Sequence, residues 1–195
     1  MVDIIEISDA RDRSLRTIAQ QNIITASDAG AILGLSKYRT AKDVMDRKLG
    51  LVPRQPANRY TDWGRLHEGE AIESLIDLMD LPDGYIRQCG LFIADDWIGA
   101  IPDGLAGRNG VLEIKCPMSR AKTNVFPPVS DEYHAQAQIE MYCTDRKFCL
   151  FYQWSPLGGR LDTITRNDQW LGINIPILKA FHTEMMDHLF AGELP

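Results

Sequence analysis

The chain has 195 residues, enough for one sizeable core, and its 45% hydrophobic and 25% charged residues are typical of a soluble globular protein. No apolar run approaches the length of a membrane span and the acidic start does not resemble a signal peptide, so we expect a cytoplasmic protein without membrane contact. The formal net charge of −6 excludes a generally basic surface, but residues 1–65 carry 11 Lys and Arg against 8 Asp and Glu, and residues 66–195 carry 10 against 19. The N-terminal third is therefore the better place for an anionic partner.

Two short helices are predicted near the N-terminus. The first covers residues 8–19 and bears three arginines, among them Arg16. Arginines on such a helix usually form a solvent-exposed charged face. The second begins at Thr25, whose hydroxyl is followed three residues later by a carboxylate, and is ended by Gly34. Because the start of a helix offers free N–H groups to anions, Thr25 and Ser27 are either caps alone or caps that also hold a phosphate.

A basic loop and a further helix follow. Lys37 and Arg39 flank an aromatic residue in the loop 36–39, which makes both of them candidate contacts to a phosphate backbone. Residues 40–50 predict a helix ended by glycine, and the proline-containing stretch 51–58 predicts a connecting loop.

The next predicted helix, residues 64–79, carries an inward-facing carboxylate. At about 100° per residue, Glu68 falls in the middle of an apolar stripe, so it needs a partner, since burying a bare carboxylate costs several kcal/mol. The partner is either an arginine in a buried salt bridge or a bound cation. The stripe consists of Ile72, Leu75, Ile76 and Met79, and the opposite face carries Glu70, Glu73 and Asp77.

Three apolar stretches, residues 85–94, 97–106 and 111–116, predict β-strands. The glycine-rich turn 107–110 between the last two predicts a hairpin. Folding these two strands together brings Asp103 level with the middle of the third.

The hairpin would align side chains that bind metals. Strand alternation points Glu113 and Lys115 to one face, with Asp103 opposite them. Two carboxylates in a cleft can hold a hard cation such as Mg²⁺, and the lysine can orient or deprotonate a water for attack on a phosphodiester. The alternative is a surface hairpin with a weak, exposed Glu113–Lys115 pair. The apolar flanks favour a strand with a buried face.

The C-terminal half continues with a loop, 119–128, in which Arg120 lies just after the central strand. A helix capped by Ser130 runs to about residue 143 and carries Gln136 on a half-buried face, where a glutamine is more often a structural hydrogen-bonding residue.

Two strands, 146–154 and 160–166, predict a second hairpin. Asn167 is expected to cap a last helix towards residue 191, which Pro176 should kink or split.

This order of elements predicts a single domain of the α/β or α+β class, with a central mixed β-sheet flanked by helices. Within it, residues 1–65 form a helical part, 66–166 a core and 167–195 a closing helix.

Four blocks of the sequence resemble one known family, the phage lambda-type exonucleases or YqaJ-like viral recombinases of the Pro-Asp…(Asp/Glu)-x-Lys nuclease superfamily. They occur in the family's order between residue 23 and about residue 143. The blocks are Ile24–Asp28 with Ile32–Tyr38, Trp63-Gly64 with Glu68, Pro102–Leu105 with Leu112–Pro117, and Tyr133–Gln138.

The resemblance implies a restriction-endonuclease-like fold and a deoxyribonuclease that digests the 5′ strand of linear duplex DNA with two Mg²⁺ or Mn²⁺ ions. Glu68, Asp103, Glu113 and the Ile114 carbonyl would be ligands. Lys115 would serve catalysis, and the glutamine matching Gln136 lines the active site of such enzymes.

The resemblance also bears on DNA ends and partners. Family members contact the 5′-phosphate through an arginine shortly before Ile-Thr-Ala-Ser, where this chain has Gln20. Either Arg16 binds the 5′-phosphate in place of that arginine or end recognition differs. The resemblance also favours Ser27 as a phosphate contact. The family implies a homotrimeric ring and a single-strand annealing protein as partner, in a bacterial host carrying a phage or prophage.

Two alternatives stay open at this point. A related nuclease of other polarity, or an endonuclease, would keep the same residues, and so would a non-catalytic DNA-binding module.

Overall fold

The computed structural model describes residues 2–7, 22–53 and 58–192, so the predicted helix over residues 8–19, with Arg16, and Gln20 lie outside the described residues. The elements within these ranges are β1 (Ile4–Ile7), β2 (Ile24–Thr25), α1 (Ala26–Ile32), α2 (Ala41–Lys48), α3 (Arg59–Met79), β3 (Ile86–Arg87), β4 (Leu91–Ala94), β5 (Ile98–Ala100), β6 (Gly104–Ala106), β7 (Gly110–Lys115), a 3₁₀ turn (Met118–Arg120), α4 (Asp131–Thr144), β8 (Phe148–Ser155), β9 (Gly158–Thr165) and α5 (Asp168–Gly192).

The fold is a mixed α+β arrangement with helices flanking mixed sheets, as predicted, but the described strands form two sheets instead of one. The first has the order β1-β4-β5-β2, and the second has the order β3-β6-β7-β8-β9. The second sheet lies between two apolar clusters. Leu112 and Ile114 pack with Leu75 of α3 on one face, and Val111 packs with Ile139 of α4 on the other. The central strand β7 is thereby buried from both sides.

The prediction of an unbroken strand over residues 97–106 is wrong. β5 and β6 belong to different sheets, and Pro102 and Asp103 lie in the link between them, where a proline's missing N–H breaks no ladder. The predicted strand 85–94 divides in the same way into β3 and β4. In both cases the chain crosses from one sheet to the other.

The β6–β7 hairpin itself is confirmed. Its strands pair antiparallel with Gly104 opposite Leu112 and Ala106 opposite Gly110. Gly107 adopts a φ of 54°, the left-handed conformation expected of a glycine in a tight turn.

Helix α3 begins at Arg59, five residues before the predicted start. Asn58 caps it, since its side-chain oxygen accepts hydrogen bonds from the N–H groups of Tyr60 at 2.9 Å and Thr61 at 3.2 Å. Leu75 is buried as predicted, whereas Met79 is 39% exposed, so the apolar stripe ends before the helix does. The three acidic residues of the opposite face are exposed.

The closing helix α5 is capped by Asn167, whose side-chain oxygen accepts from the Trp170 N–H at 2.9 Å. It continues through Pro176, so the expected split does not occur. Leu178 and Met185, both fully buried beyond the proline, hold the second half against the core despite the lost backbone hydrogen bond. None of the helices in the described ranges is long and apolar enough to cross a membrane.

Candidate active site

Asp103 lies where the chain passes from the first sheet to the second. Its Oδ2 accepts a hydrogen bond from the backbone N–H of Ile114 at 2.7 Å, so the hairpin holds it beside Glu113 as predicted. Burial, followed by the nearby charge of Glu113, raises the pKa of Asp103 to about 8. A cation bound here would favour the charged form of this carboxyl group.

Glu113 and Lys115 project from β7 towards α4. Their side chains form an ion pair, but Glu113 is only 3% exposed, which contradicts the alternative of a weak pair on the surface. Burial lowers the pKa of Lys115, but the charge of Glu113, the hydrogen bond to Glu113 and the charge of Asp103 together outweigh burial and raise the pKa above its ordinary value. Lys115 is consequently an ammonium group at neutral pH.

Gln136 of α4 completes the contacts of this pair. Its Nε2 donates hydrogen bonds to Glu113 Oε1 at 2.6 Å and to Glu140 Oε1 at 2.8 Å. With both amide hydrogens engaged, the Gln136 carbonyl oxygen lies 3.4 Å from Lys115 Nζ. The ammonium also lies 4.8 Å from the centre of the Tyr133 ring, a cation–π distance.

Glu140 is the residue of this cluster that sequence reasoning missed. It is 1% exposed, and its Oε2 has no hydrogen-bond partner in the described part of the chain. Burial, and then the charge of Glu113, raises its pKa well above the ordinary value, which favours the protonated form of its side chain. Its spacing of four residues from Gln136, on the buried face of α4, is the signal that could have revealed it.

Glu68 faces the hairpin from α3. It is half-buried, and burial together with the charge of Glu113 raises its pKa, which Arg65 lowers to a smaller extent. No cationic side chain in the described ranges forms an ion pair with it, so the buried salt bridge that could have explained an inward carboxylate is not observed there. The carboxyl groups of Glu68, Asp103 and Glu113 therefore lie close enough for the charge of Glu113 to act on both of the others.

The carboxylates are not arranged around a common point in this structure. Within residues 2–7, 22–53 and 58–192, no three Asp, Glu, His or Cys side chains are grouped so that they could hold one metal ion. The donor chemistry nevertheless suits a hard divalent cation, because it consists of carboxyl oxygens, and burial, followed by the charge of Glu113, raises the pKa of Asp103 and Glu68. Sharing an ion requires these side chains to move, and Glu113 would have to exchange its contacts with Lys115 and Gln136.

The candidate phosphate contacts near α1 lie close together. Thr25 Oγ1 and Ser27 Oγ are 3.1 Å apart, and Arg39 Nη2 donates to the Ser27 carbonyl at 2.5 Å. The helix packs closely on α4, where a Cβ on Gly30 would lie 2.7 Å from Glu132 Cγ.

Two further predicted contacts lie in loops. Lys37 is exposed beside Arg39. Arg120 is half-buried after β7, and its Nη1 donates to the Val125 carbonyl at 3.4 Å.

Comparison with known proteins agrees with this geometry. Residues 16–147 match the model of the YqaJ-like viral recombinase domain. The structure resembles an alkaline exonuclease (LHK-Exo) from Laribacter hongkongensis, with a TM-score of 0.73, 25% identity and coverage of 89% of this chain and 93% of that one. It also resembles a phage-related exonuclease from Haemophilus somnus 129PT, with a TM-score of 0.67, 16% identity and coverage of 88% and 96%. Comparison by sequence with curated proteins finds no significant match.

The family match and the alkaline exonuclease among the similar structures indicate a deoxyribonuclease by class. Enzymes of this class generally use a divalent metal. Because the matched segment covers more than half of its length, the chain belongs to the YqaJ-like viral recombinase domain family.

Proposed function

We propose that this protein is a Mg²⁺-dependent exonuclease that digests the 5′ strand of linear duplex DNA and leaves 3′ single-stranded overhangs for phage-type recombination by strand annealing. The observation that carries the proposal is the group formed by Asp103, Glu113 and Lys115 on one hairpin, with Gln136 and Glu68 beside it. The family and the exonuclease named among the similar structures support it.

The ligands would be Glu68, Asp103, Glu113 and the Ile114 carbonyl, binding two Mg²⁺ or Mn²⁺ ions. Such ions polarise the phosphoryl group and lower the pKa of a bound water. The chain's own contribution is positional. Gln136 and Tyr133 keep the Lys115 ammonium at one place, and its raised pKa suits it to donate hydrogen bonds to the attacked phosphate and the water, not to accept a proton.

The DNA end would be held by the N-terminal part, through Thr25, Ser27, Lys37 and Arg39, with Arg120 contributing from the loop after β7. Arg16, outside the described residues, stays a candidate for the 5′-phosphate. We further propose a homotrimeric ring that works with a single-strand annealing protein in the cytoplasm of a bacterial host.

Digestion of an end-labelled linear duplex, with and without Mg²⁺, tests the proposal. We expect nucleotides to be released from the 5′ label first and only with the metal. Lys115→Ala should lower kcat by about 10²- to 10⁴-fold, the range for a side chain acting directly on the reacting group. Lys179→Ala, at an exposed lysine of α5, is the matched control and should digest as the parent does.

Each contrary outcome is specific. Release from the 3′ label alone would show the other polarity, and cleavage of a closed circle would show an endonuclease. A parent protein that releases nothing with Mg²⁺ or Mn²⁺ would be a DNA-binding module.

A further inference from the structure

A groove lies at the turn end of the β6–β7 hairpin, apart from the carboxylates. It encloses about 550 Å³ and is lined by residues 82–85, Arg87, Gly107, Arg108 and Arg146. Glu113 lies three residues along β7 from the end of the hairpin turn, roughly 10 Å at the rise of a β-strand. The groove and the carboxylate site thus share one hairpin without sharing a residue.

The groove concentrates positive charge in the acidic part of the chain. Three arginines line it, against a single carboxylate, Asp83. Arg87 and Arg108 are exposed, and neither makes a side-chain hydrogen bond or an ion pair with another described residue. Residues 66–195 contain 10 Lys and Arg against 19 Asp and Glu, so three arginines in one groove are not explained by the general surface.

Arg146 is fixed at the wall of the groove. Its Nη1 donates hydrogen bonds to the carbonyl oxygens of Gly107 and Gly110, each at 3.0 Å. Burial lowers the pKa of Arg146, and the charge of Arg87 lowers it further. Glu6 partly offsets this effect, but Arg146 forms no ion pair with a described carboxylate, and two neighbouring guanidinium groups are an arrangement that an anion stabilises.

The opposite wall is also fixed. The N–H of Gly107 donates to the Tyr85 carbonyl at 2.7 Å. A Cβ at residue 107 would lie only 2.9 Å from the Tyr85 ring, so the hairpin turn fits closely on this tyrosine. The groove is formed before any ligand arrives.

We propose that this groove binds phosphate groups of a nucleic-acid strand, with Arg87, Arg108 and Arg146 as the binding residues and Tyr85 as an aromatic wall. The inference rests on the proposed function, which brings a DNA strand to the same hairpin. Phosphate suits the groove because the planar arginine fork makes two parallel hydrogen bonds to it. An acidic protein segment is the competing occupant.

The test measures the affinity of the whole protein for labelled duplex and single-stranded oligonucleotides over a salt series in EDTA, so that cleavage does not interfere. The slope of log K against log salt falls by about 0.9 for each duplex phosphate contact removed. We expect Arg108→Gln to reduce the slope for duplex by about 1 and the Arg87→Gln/Arg108→Gln double variant by about 2. Arg160→Gln on β9, at the far edge of the same sheet, removes the same charge as Arg108→Gln and should leave the slope unchanged.

Equal slopes in the parent and the double variant would overturn the proposal. Competition by polyglutamate as strong as that of DNA would also overturn it. A third contrary outcome is a thermal shift by inorganic phosphate or a deoxynucleoside monophosphate that equals the shift by an oligonucleotide and is lost in the double variant. The proposal is supported if only the oligonucleotide raises the melting temperature and if polyglutamate competes more weakly than DNA. The binding measurements exclude metal and are therefore independent of hydrolysis. A parent protein that binds DNA in this groove but never hydrolyses it would refute the proposed function and leave the proposal for the groove valid.

Discussion

Gln136 is oriented by acceptors on two different elements, Glu113 on β7 and Glu140 on its own helix. The amide could turn by half a rotation if either acceptor were lost, and its carbonyl oxygen would then leave Lys115. A buried carboxyl group with a raised pKa is well suited to this task because its protonated form accepts a hydrogen bond without adding charge beside Glu113. Glu140 is therefore a positioning residue for the amide.

Substitution of Glu140 tests this role. Glu140→Gln keeps a neutral oxygen acceptor for Gln136 and should keep kcat within a few-fold of the parent. Glu140→Leu removes the acceptor and should lower kcat by about 10-fold or more, corresponding to about 1.4 kcal/mol, with KM for DNA unchanged. Steady-state kinetics with the two constants resolved makes the comparison, and a leucine variant with the parent's kcat would contradict it.

The residues of the site that sequence could predict are those on the hairpin. Strand alternation fixes where Glu113 and Lys115 point, and the turn brings Asp103 level with them, because both are local properties of the backbone. Glu140 escapes such reasoning since a glutamate in a helix is normally solvated, and only the tertiary packing of α4 buries it.

At the scale of elements, α1 and α2 are joined through one buried carboxylate. Asp28 is fully buried and forms ion pairs with Arg47, with Arg39 at 3.5 Å and with Lys48 at 3.5 Å, while Thr25 Oγ1 donates to it at 2.7 Å. Burial would raise its pKa, but the charges of Lys48 and Arg47 outweigh burial, so the pKa lies below the ordinary value. The loop 36–39, which carries the candidate DNA contacts Lys37 and Arg39, is thus anchored to α1 and α2 through Asp28.

Replacing Asp28 should destabilise the protein. Asp28→Asn leaves the cations without their buried partner, and we expect the free energy of unfolding to fall by about 3–5 kcal/mol. Asp46→Asn, which breaks the surface pair with Lys42, is the control and should cost about 1 kcal/mol or less. Denaturant unfolding at neutral pH measures both, and equal losses would contradict the anchoring role.

The same residue sets an acid dependence. Because the folded pKa of Asp28 is lower than the unfolded one, its stabilisation is complete above the unfolded pKa, about 4, and is lost as the pH falls through the folded value. Unfolding measured from neutral pH down to acid should therefore show a steeper loss for the parent than for Asp28→Asn. Parallel curves would contradict the sign of the shift.

Sequence patterns predicted the helix caps at Thr25 and Ser130 because capping depends on neighbours within one turn. They failed to predict which sheet a strand joins, because β5 and β6 are equally apolar and pairing is decided by distant partners. Pro102 was the local sign of the break. The start of α3 was missed because Asn58 follows a proline-rich loop whose composition masks the cap.

At the scale of the whole molecule, the net charge of −6 sets a problem for a protein that must stay on DNA. A closed trimeric ring would retain the duplex by topology where attraction is weak. Light scattering of the purified protein should give three times 22.0 kDa over a wide concentration range. A mass of one chain at every concentration would contradict the ring, and binding to DNA would then depend on basic patches alone.

The parallel pairing of β2 with β5 has a consequence for where the cut falls. Thr25 is paired in register with Gly99, and only three residues separate Gly99 from Asp103, a span of at most about 14 Å. If the strand terminus is gripped beside Thr25, this short stretch of backbone acts as a ruler. The enzyme would then remove a product of constant length at each step, because the distance from grip to scissile bond is built into its main chain.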